Sequence, residues 1–265
     1  MANVPHYKVT SFRDGIQTIR LSSWKWFGDY IQKRLIDYKS YVFRGQRRAS
    51  WHLESTLDRA VRSAGQLPSE FDYDQYLTEF KRATRGRRGS GPPPSDDNGW
   101  WSLGQHHGLH TPLLDWTESP FVALYFAFVK PRGRASDLRA VWAVSRISVE
   151  KKTSELAQQN PGKPSHAYGV EIVSPLSDDN ARLVSQRGLF TRAPNGMTLC
   201  KWVGTQFKRE HNRHILIKIE IPERNGDRFA CLQFLNRMNI NHLTLFPDVY
   251  GASKFCTMAL EIENY

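Results

Sequence analysis

The stretch QHHGLHTPLLDWTESPFVALYFAF, residues 105–128, places polar groups directly before a strongly apolar run. Ser119 can cap a helix, and Pro120 suits the first helical position because an N–H there has no partner within the helix. Asp115, Trp116 and Thr117 lie shortly before this helix start. A core does not need so many polar side chains, and a surface would not surround them with large apolar ones. The stretch therefore predicts a helix that borders a polar site at the edge of a core.

The composition is that of an ordinary globular protein. The chain has 265 residues, of which 40% are hydrophobic and 24% charged, and one domain spanning residues 1–265 is the simplest interpretation. Three scattered cysteines predict neither a disulfide framework nor a zinc site, so no metal and a reducing cytoplasm are expected. The first residues do not resemble a secretory signal. No apolar run approaches the ~20 residues that span a bilayer, so no membrane contact is expected.

The formal net charge of +11 favours a polyanionic partner such as RNA or DNA. Many basic proteins bind no nucleic acid, so charge alone leaves this open. Residues 81–99 begin with a basic cluster and continue with Gly, Pro, Ser and Asp, which predicts a mobile loop. It is either a solvated linker or a basic flap that meets a phosphate backbone. The candidate nucleic-acid-binding residues of this segment are Lys81, Arg82, Arg85, Arg87 and Arg88.

Hydrophobic periodicity indicates an α+β domain with a mixed or antiparallel sheet. The predicted strands cover residues 41–46, 138–148, 214–222 and 241–251. The predicted helices cover residues 22–40, 70–85 after a cap at Ser69, 120–128, 227–240 with Asp227 as cap, and 253–262. Residues 179–191 predict a short helix or turn that is closed by Gly188 and followed by an extended piece.

Arg44 in FRGQ, residues 43–46, is the first of four polar clusters beside predicted strand ends. Its planar guanidinium can bind a phosphate, a ribose or a carboxylate, and Gly45 is interpreted as a turn residue. The alternative is a structural arginine that pairs with a buried carboxylate such as Asp115.

The other clusters are also open to two interpretations. His106 and His107, if on a strand, point to opposite sides, and a hydrogen-bonding or base-stacking role is favoured over a metal site. Thr117 and Ser119 lie at a helix start, where free N–H groups favour an anion, although ordinary capping also explains Ser119. A fourth cluster lies beside turn glycines and consists of Gln186 and Asp248, the latter also a natural turn residue.

Four motifs in one order resemble the FRG domain family, over roughly residues 38–255. They are FRGQ at 43–46, the long stretch at 105–128, SQRGLFT at 185–191 and TLFPDVYGAS at 244–253. Family members often have Tyr and Pro where this chain has His107 and His110, so these two histidines are interpreted as specific to this protein.

The FRG strand, the Ser/Thr strand end and the Ala-rich helix are further similar to the Arg-Ser-Glu class of ADP-ribosyltransferases. This resemblance implies a split sheet flanked by helices, with NAD as substrate and no metal. It implies that Arg44 grips NAD, that Thr117 and Ser119 shape the nicotinamide side, and that Gln186 lies near the catalytic acid. Because Gly188 stands where the family has Glu, Asp248 is the substitute. The implied NAD-binding residues are Arg44, Gly45, Gln46, His106, His107, Asp115, Trp116, Thr117, Ser119 and Tyr125.

The resulting hypothesis is an NAD-dependent ADP-ribosyltransferase that modifies nucleic acid, with RNA favoured over DNA. The resemblance implies a bacterial toxin or phage-defence effector, with an antitoxin as a possible partner. Three alternatives stay open. They are a transferase acting on protein, a non-catalytic nucleic-acid-binding module, and an interaction domain anchored by Trp100 and Trp101.

Overall fold

The computed structural model describes residues 6–87, 92–131, 138–174 and 181–265. Its strands are β1 Tyr7–Arg13, β2 Ile16–Leu21, β3 Tyr41–Gln46, β4 Leu113–Thr117, β5 Arg139–Ser145, β6 Glu171–Val173, β7 Gly188–Arg192 and β8 Leu216–Ile221. They form one sheet in the order β1-β2-β8-β5-β3-β4-β7-β6. The β2–β8 pair is parallel and the other neighbours are antiparallel. The predicted α+β class with a mixed sheet is confirmed.

Helices connect and cover these strands. They are α1 Phe27–Arg34, α2 Thr56–Ser63, α3 Tyr73–Ala83, α4 Asp97–His106, α5 Pro120–Phe128, α6 Arg146–Gln159, α7 Ala181–Ser185, α8 Leu199–Gln206, α9 Asp227–Arg237, α10 His242–Leu245 and α11 Val249–Glu261, with 3-10 turns at Trp24–Trp26 and Ser165–Ala167. Among the helices in the described ranges, none has the length and apolar character needed to cross a membrane.

Two apolar layers lie on opposite faces of the sheet because successive strand residues alternate in direction. Phe43 joins the layer formed with α1, α5, α9 and α11. Its neighbour Val42 joins the other layer, with α6 and α8. A third cluster contains Leu57 of α2, Leu77 of α3 and Trp101 of α4. Trp101 is only 1% exposed, so it cannot anchor a protein partner as the interaction-domain hypothesis requires.

Helix α5 lies directly against β3. Its start is as predicted, since Ser119 Oγ accepts a hydrogen bond from Val122 N at 3.3 Å and Pro120 is the first helical residue. Gly45, however, is not a turn residue, because β3 continues to Gln46. A Cβ at Gly45 would lie 1.9 Å from the carbonyl oxygen of Ala123 in α5. The glycine is required by this close approach of strand and helix.

The strand predicted over residues 241–251 is wrong. Asn241 Oδ1 accepts from Thr244 N at 3.0 Å and Thr244 Oγ1 accepts from Asn241 N at 3.2 Å, a capping box that starts α10. Asp248 then caps α11, which begins at Val249, earlier than predicted. Reciprocal satisfaction of helix-terminal N–H groups outweighs the apolar alternation of this segment.

Several predicted boundaries also move. The first helix ends at Arg34 rather than residue 40. Helix α3 is capped by Asp72, whose Oδ1 accepts from Gln75 N at 2.8 Å, and not by Ser69. Asp227 is the first residue of α9, and the capping position before it is Gly226. The later part of the predicted loop at 81–99 is helical, because α4 begins at Asp97.

Candidate functional site

A cleft opens where two central strands separate. Strands β3 and β4 share one residue pair, Phe43 with Thr117. Beyond it β3 continues beside β5, and the earlier part of β4 lies beside β7. The resulting gap leads into a cleft of about 700 Å³, a volume typical of small-molecule sites. Its walls come from β3, the segment after it, β4, the C-terminal end of α5, Gln186 and Phe246.

Arg44 reaches across this gap to Asp115. Its Nη1 donates to the Asp115 backbone oxygen at 2.7 Å and to Oδ2 at 3.2 Å. Asp115 Oδ1 accepts from Gln105 Nε2 at 2.6 Å, and Gln105 in turn accepts a hydrogen bond from Thr111 Oγ1. The predicted pairing of Arg44 with Asp115 is present, but the carboxylate is not buried, because the Asp115 side chain is 64% exposed. A ligand in the cleft can therefore reach both charges.

Thr117 and Gln186 are held together at the same end of the cleft. Thr117 Oγ1 donates to the Gln186 backbone oxygen at 2.6 Å and accepts from Ser119 N at 3.0 Å. The Gln186 side chain donates to the Leu245 oxygen at 3.0 Å. The structure thus brings two residues predicted to be catalytic to one place, although their polar atoms already have partners.

Gln46 and Trp116 line the cleft as largely buried side chains. Gln46 Oε1 accepts from Trp142 Nε1 at 2.8 Å, and Gln46 Nε2 donates to the His52 oxygen at 3.2 Å. Trp116 Nε1 donates to Thr191 Oγ1 at 2.9 Å. These contacts support the wall of the cleft, and they explain both residues without a ligand.

Helix α5 borders the cleft with its C-terminal end. The sequence pattern predicts that its N-terminal end does so. The lining residues are Phe126, Val129 and Lys130, whereas Ser119 is not among them. At the helix start, Pro120 has no N–H, and the Val122 N–H is taken by Ser119 Oγ. The predicted anion site at this helix N-terminus therefore lies outside the cleft.

Tyr125, predicted to bind NAD, is buried away from the cleft. It is 0% exposed, and its hydroxyl makes a 2.5 Å hydrogen bond with His242 Nδ1. Burial raises the pKa of this phenol above its usual value. The position of Tyr125 on α5 directs it into the apolar layer, while the next residue, Phe126, lines the cleft.

The adjacent histidines end a helix and do not lie on a strand. His106 is the last residue of α4, and His107 follows it as the exposed C-cap, with ring centroids 4.9 Å apart. Burial lowers the pKa of His106, and the nearby His107 and Arg182 lower it further. Neither histidine lines the cleft, so the structure does not bring them together with the other residues predicted to bind NAD.

Asp248 is a helix cap outside the cleft. Its Oδ1 accepts from Gly251 N at 2.9 Å, and its Oδ2 accepts from Arg182 Nε at 2.8 Å. The Gly251 N–H, followed by Arg182, lowers the pKa of this carboxyl below its usual value. The two carboxylates that do line the cleft are Glu54 and Asp115, so the expected catalytic role of Asp248 is not supported.

The basic segment is partly neutralised. Lys81 Nζ lies 2.6 Å from Asp97 Oδ1, and Arg82 Nη1 lies 2.8 Å from Glu79 Oε1. Arg85 and Arg87 are exposed. Arg88 lies outside the described residues, and its predicted role is not addressed. These cations do not border the cleft.

A cationic mouth of the cleft was missed by the sequence analysis. We use this name for Arg47, Trp51, Arg59 and Lys130, all of which line the cleft. Trp51 is 42% exposed, and the guanidinium of Arg47 lies 5.1 Å from its ring centroid. A signal was present in the sequence, since RGQRRASWH at residues 44–52 joins three arginines to an aromatic residue. Within the described ranges, no group of three or more His, Cys, Asp or Glu side chains could hold a metal ion.

The family comparison covers most of the segments that line the cleft. The FRG domain model matches residues 39–136. The FRG domain is therefore shown for this part of the chain, which is just over a third of its length. The matched region contains β3, β4 and α5, and with them Arg44, Asp115 and the cationic mouth. The FRG match does not extend to Gln186, Phe246 or Asp248. Comparisons with curated proteins and with solved structures gave no match.

Proposed function

We propose that the cleft of the FRG domain binds NAD and that the protein transfers ADP-ribose to a nucleic acid. The observation that carries this proposal is Arg44, a guanidinium placed where β3 and β4 separate and flanked by an exposed carboxylate. The cleft also combines aromatic side chains with four cations, which suits a ligand made of bases and phosphates.

Arg44 has donor capacity left for a phosphate. Both of its hydrogen bonds to Asp115 use Nη1. The second amino group, Nη2, is therefore the group proposed to meet the NAD pyrophosphate. The Nε of Arg44 is buried and has no hydrogen-bond partner in the part of the chain that the structure describes. A guanidinium held in this way recognises a phosphate by geometry as well as charge.

Asp115 takes over the role expected of Asp248. In the proposed reaction the bond between the nicotinamide nitrogen and ribose C1 breaks, and both electrons leave with nicotinamide. The acceptor atom then bonds to C1 and loses its proton to solvent. A carboxylate stabilises the positive ribose in between. Asp115 is preferred to Glu54 because its side chain is 64% exposed, against 14% for Glu54, which is paired with Arg62.

The test measures NAD binding by calorimetry and nicotinamide release by chromatography. Arg44→Ala should weaken NAD binding about ten-fold to a hundred-fold, since a charge-assisted hydrogen bond contributes roughly 1.5–3 kcal/mol. Arg44→Lys should recover little, because lysine keeps the charge and loses the planar fork. Asp115→Asn should keep binding and lose release.

Arg13→Ala is the matched control, because Arg13 is 84% exposed and pairs with Asp14 far along the chain from the cleft residues. Wild-type protein that is folded, binds no NAD and releases no nicotinamide in the presence of RNA or DNA would refute the proposal.

A second candidate is a non-catalytic nucleic-acid-binding module. Both carboxylates of the cleft form ion pairs with arginines, Asp115 with Arg44 and Glu54 with Arg62. Carboxylates that are already paired favour a cleft that binds its ligand without catalysing a reaction. This candidate predicts salt-sensitive binding of nucleic acid by both wild type and Asp115→Asn, without release of nicotinamide from NAD.

A further inference from the structure

The cleft has two chemically different ends. Arg44, Asp115, Thr117 and Gln186 form the end at the strand separation. Here the charge of Arg44 is paired with that of Asp115, and the Thr117 hydroxyl and the Gln186 amide donate to backbone oxygens. The cationic mouth forms the other end. In the described part of the chain, no carboxylate forms an ion pair with its three cations, Arg47, Arg59 and Lys130.

Backbone oxygens hold the two arginines of the mouth without neutralising them. Arg47 Nη1 lies 3.4 Å from the Pro131 oxygen, and Arg59 Nη1 donates to the Glu54 backbone oxygen at 2.6 Å. Lys130 follows the end of α5, where its backbone oxygen accepts from the buried Arg139 Nη1 at 3.0 Å. The two arginine side chains are therefore held in place while their positive charge stays available to a ligand.

Trp51 gives this charged surface an exposed aromatic face. This large side chain is 42% exposed and belongs to none of the three apolar clusters. The guanidinium carbons of Arg47 and Arg48 lie 5.1 and 5.7 Å from its ring centroid. Exposed rings beside arginines are the surface on which single-stranded nucleic acids stack their bases.

We infer that the cationic mouth binds single-stranded nucleic acid, with a base stacked on Trp51 and neighbouring phosphates at Arg47, Arg59 and Lys130. The inference rests on the proposed function in one respect, namely that the bound strand supplies the acceptor for ADP-ribose. A single strand is favoured over a duplex because the bases of a duplex are already stacked and cannot offer a face to Trp51. The surface differs from the predicted basic segment, where Lys81 and Arg82 are paired with acids.

The test measures binding of a short fluorescein-labelled single-stranded RNA, the same DNA sequence, and the corresponding duplexes by fluorescence anisotropy. Trp51→Ala should weaken single-strand binding about ten-fold or more, and Trp51→Phe, which keeps a ring, should recover most of it. Loss of each cation of the mouth that contacts a phosphate should reduce the slope of log affinity against log salt by about 0.7.

Two controls match these variants. Trp26→Ala removes another exposed tryptophan, which is 37% exposed and stacks on His6 away from the cleft. Lys81→Ala with Arg82→Ala removes charge from the basic segment. Both should leave single-strand affinity nearly unchanged. Equal affinity of wild type and Trp51→Ala, an equal loss in Trp26→Ala, or tighter binding of duplex than of single strand would overturn the inference.

NAD binding, measured separately, distinguishes this inference from the proposed function. Trp51-dependent binding of RNA or DNA by a protein that binds no NAD supports the inference and removes the proposed function. If NAD displaces RNA completely and Trp51→Ala lowers the affinity for both ligands equally, Trp51 stacks on the adenine of NAD. That result overturns the inference and leaves the proposed function in place.

Discussion

Replacing Gly45 by alanine tests whether the contact of β3 with α5 forms the cleft. An added Cβ would lie 1.9 Å from the Ala123 oxygen and 2.6 Å from the Ala127 nitrogen. Both atoms belong to the backbone of α5, and both residues are 0% exposed. No side chain can rotate away, so strand and helix must separate by about 1 Å to restore a normal contact.

The size of the effect follows from this geometry. Overpacking a well-packed core costs about 1–3 kcal/mol, and displaced backbone places Gly45→Ala at the upper end, about 3 kcal/mol. Gly204→Ala is the matched control. Gly204 lies inside α8, and a Cβ there meets no atom within 4 Å. This variant should gain about 0.5–1 kcal/mol, because alanine is the better helix residue.

The assay is urea unfolding followed by tryptophan fluorescence, with NAD binding measured on the same preparations. Gly45→Ala should unfold at lower urea and also bind NAD less tightly, since the end of α5 moves away from Arg44. A loss of stability below about 1 kcal/mol, or a loss as large in Gly204→Ala, would show that the strand–helix contact is not the constraint argued from the structure.

Three further variants probe single contacts. Tyr125→Phe should lose about 1–2 kcal/mol by urea unfolding, because the buried His242 Nδ1 loses its hydroxyl partner and keeps only the weaker contact with Met258 Sδ at 3.1 Å. Arg139→Met should lose about 3–5 kcal/mol and lower the Tm, because it removes a fully buried guanidinium that forms an ion pair with Glu223 and donates to the Ala127 and Lys130 backbone oxygens. Asp248→Asn should release nicotinamide like wild type, because Asp248 lies outside the cleft. Asp248→Asn should also be less stable than wild type at neutral pH through loss of the Arg182 pair. Because the folded-state pKa of Asp248 is lowered, that difference should vanish as pH falls through it, below the usual value of 3.8, in urea titrations at several pH values.

The elements that the sequence predicts well are those whose signals are local. Ser119 and Pro120 define the start of α5, and residues 41–46 read as a strand from their own side chains. The segment at 241–251 shows the limit, because its apolar alternation predicts a strand while a capping box between Asn241 and Thr244 starts a helix. Both signals are local. Whether the segment forms a helix or a strand depends on hydrogen bonds that the hydrophobic pattern does not reveal.

The site was harder to predict than the fold because it depends on which strands become neighbours. Arg44 and Asp115 meet because β3 and β4 are adjacent at one residue pair and then separate, which no spacing along the chain indicates. The rotational orientation of α5 about its axis decides which of its residues line the cleft. It directs Tyr125 into the core and Phe126 to the cleft. The polar residues of one motif therefore include some that line the cleft and others that do not.

The distribution of charge within the cleft leads to a last prediction about salt. Asp115 offsets the charge of Arg44 at the strand separation, whereas the cationic mouth has no acid paired with its three cations among the described residues. Screening by salt acts on unbalanced charge, so affinity should depend on ionic strength through the mouth. Arg44→Ala should weaken NAD binding with nearly the wild-type salt dependence, while Arg47→Ala should flatten the salt dependence of RNA binding. If Arg44→Ala flattened both dependences, Asp115 would not be neutralising Arg44, and the division of the cleft into a paired end and a cationic mouth would be wrong.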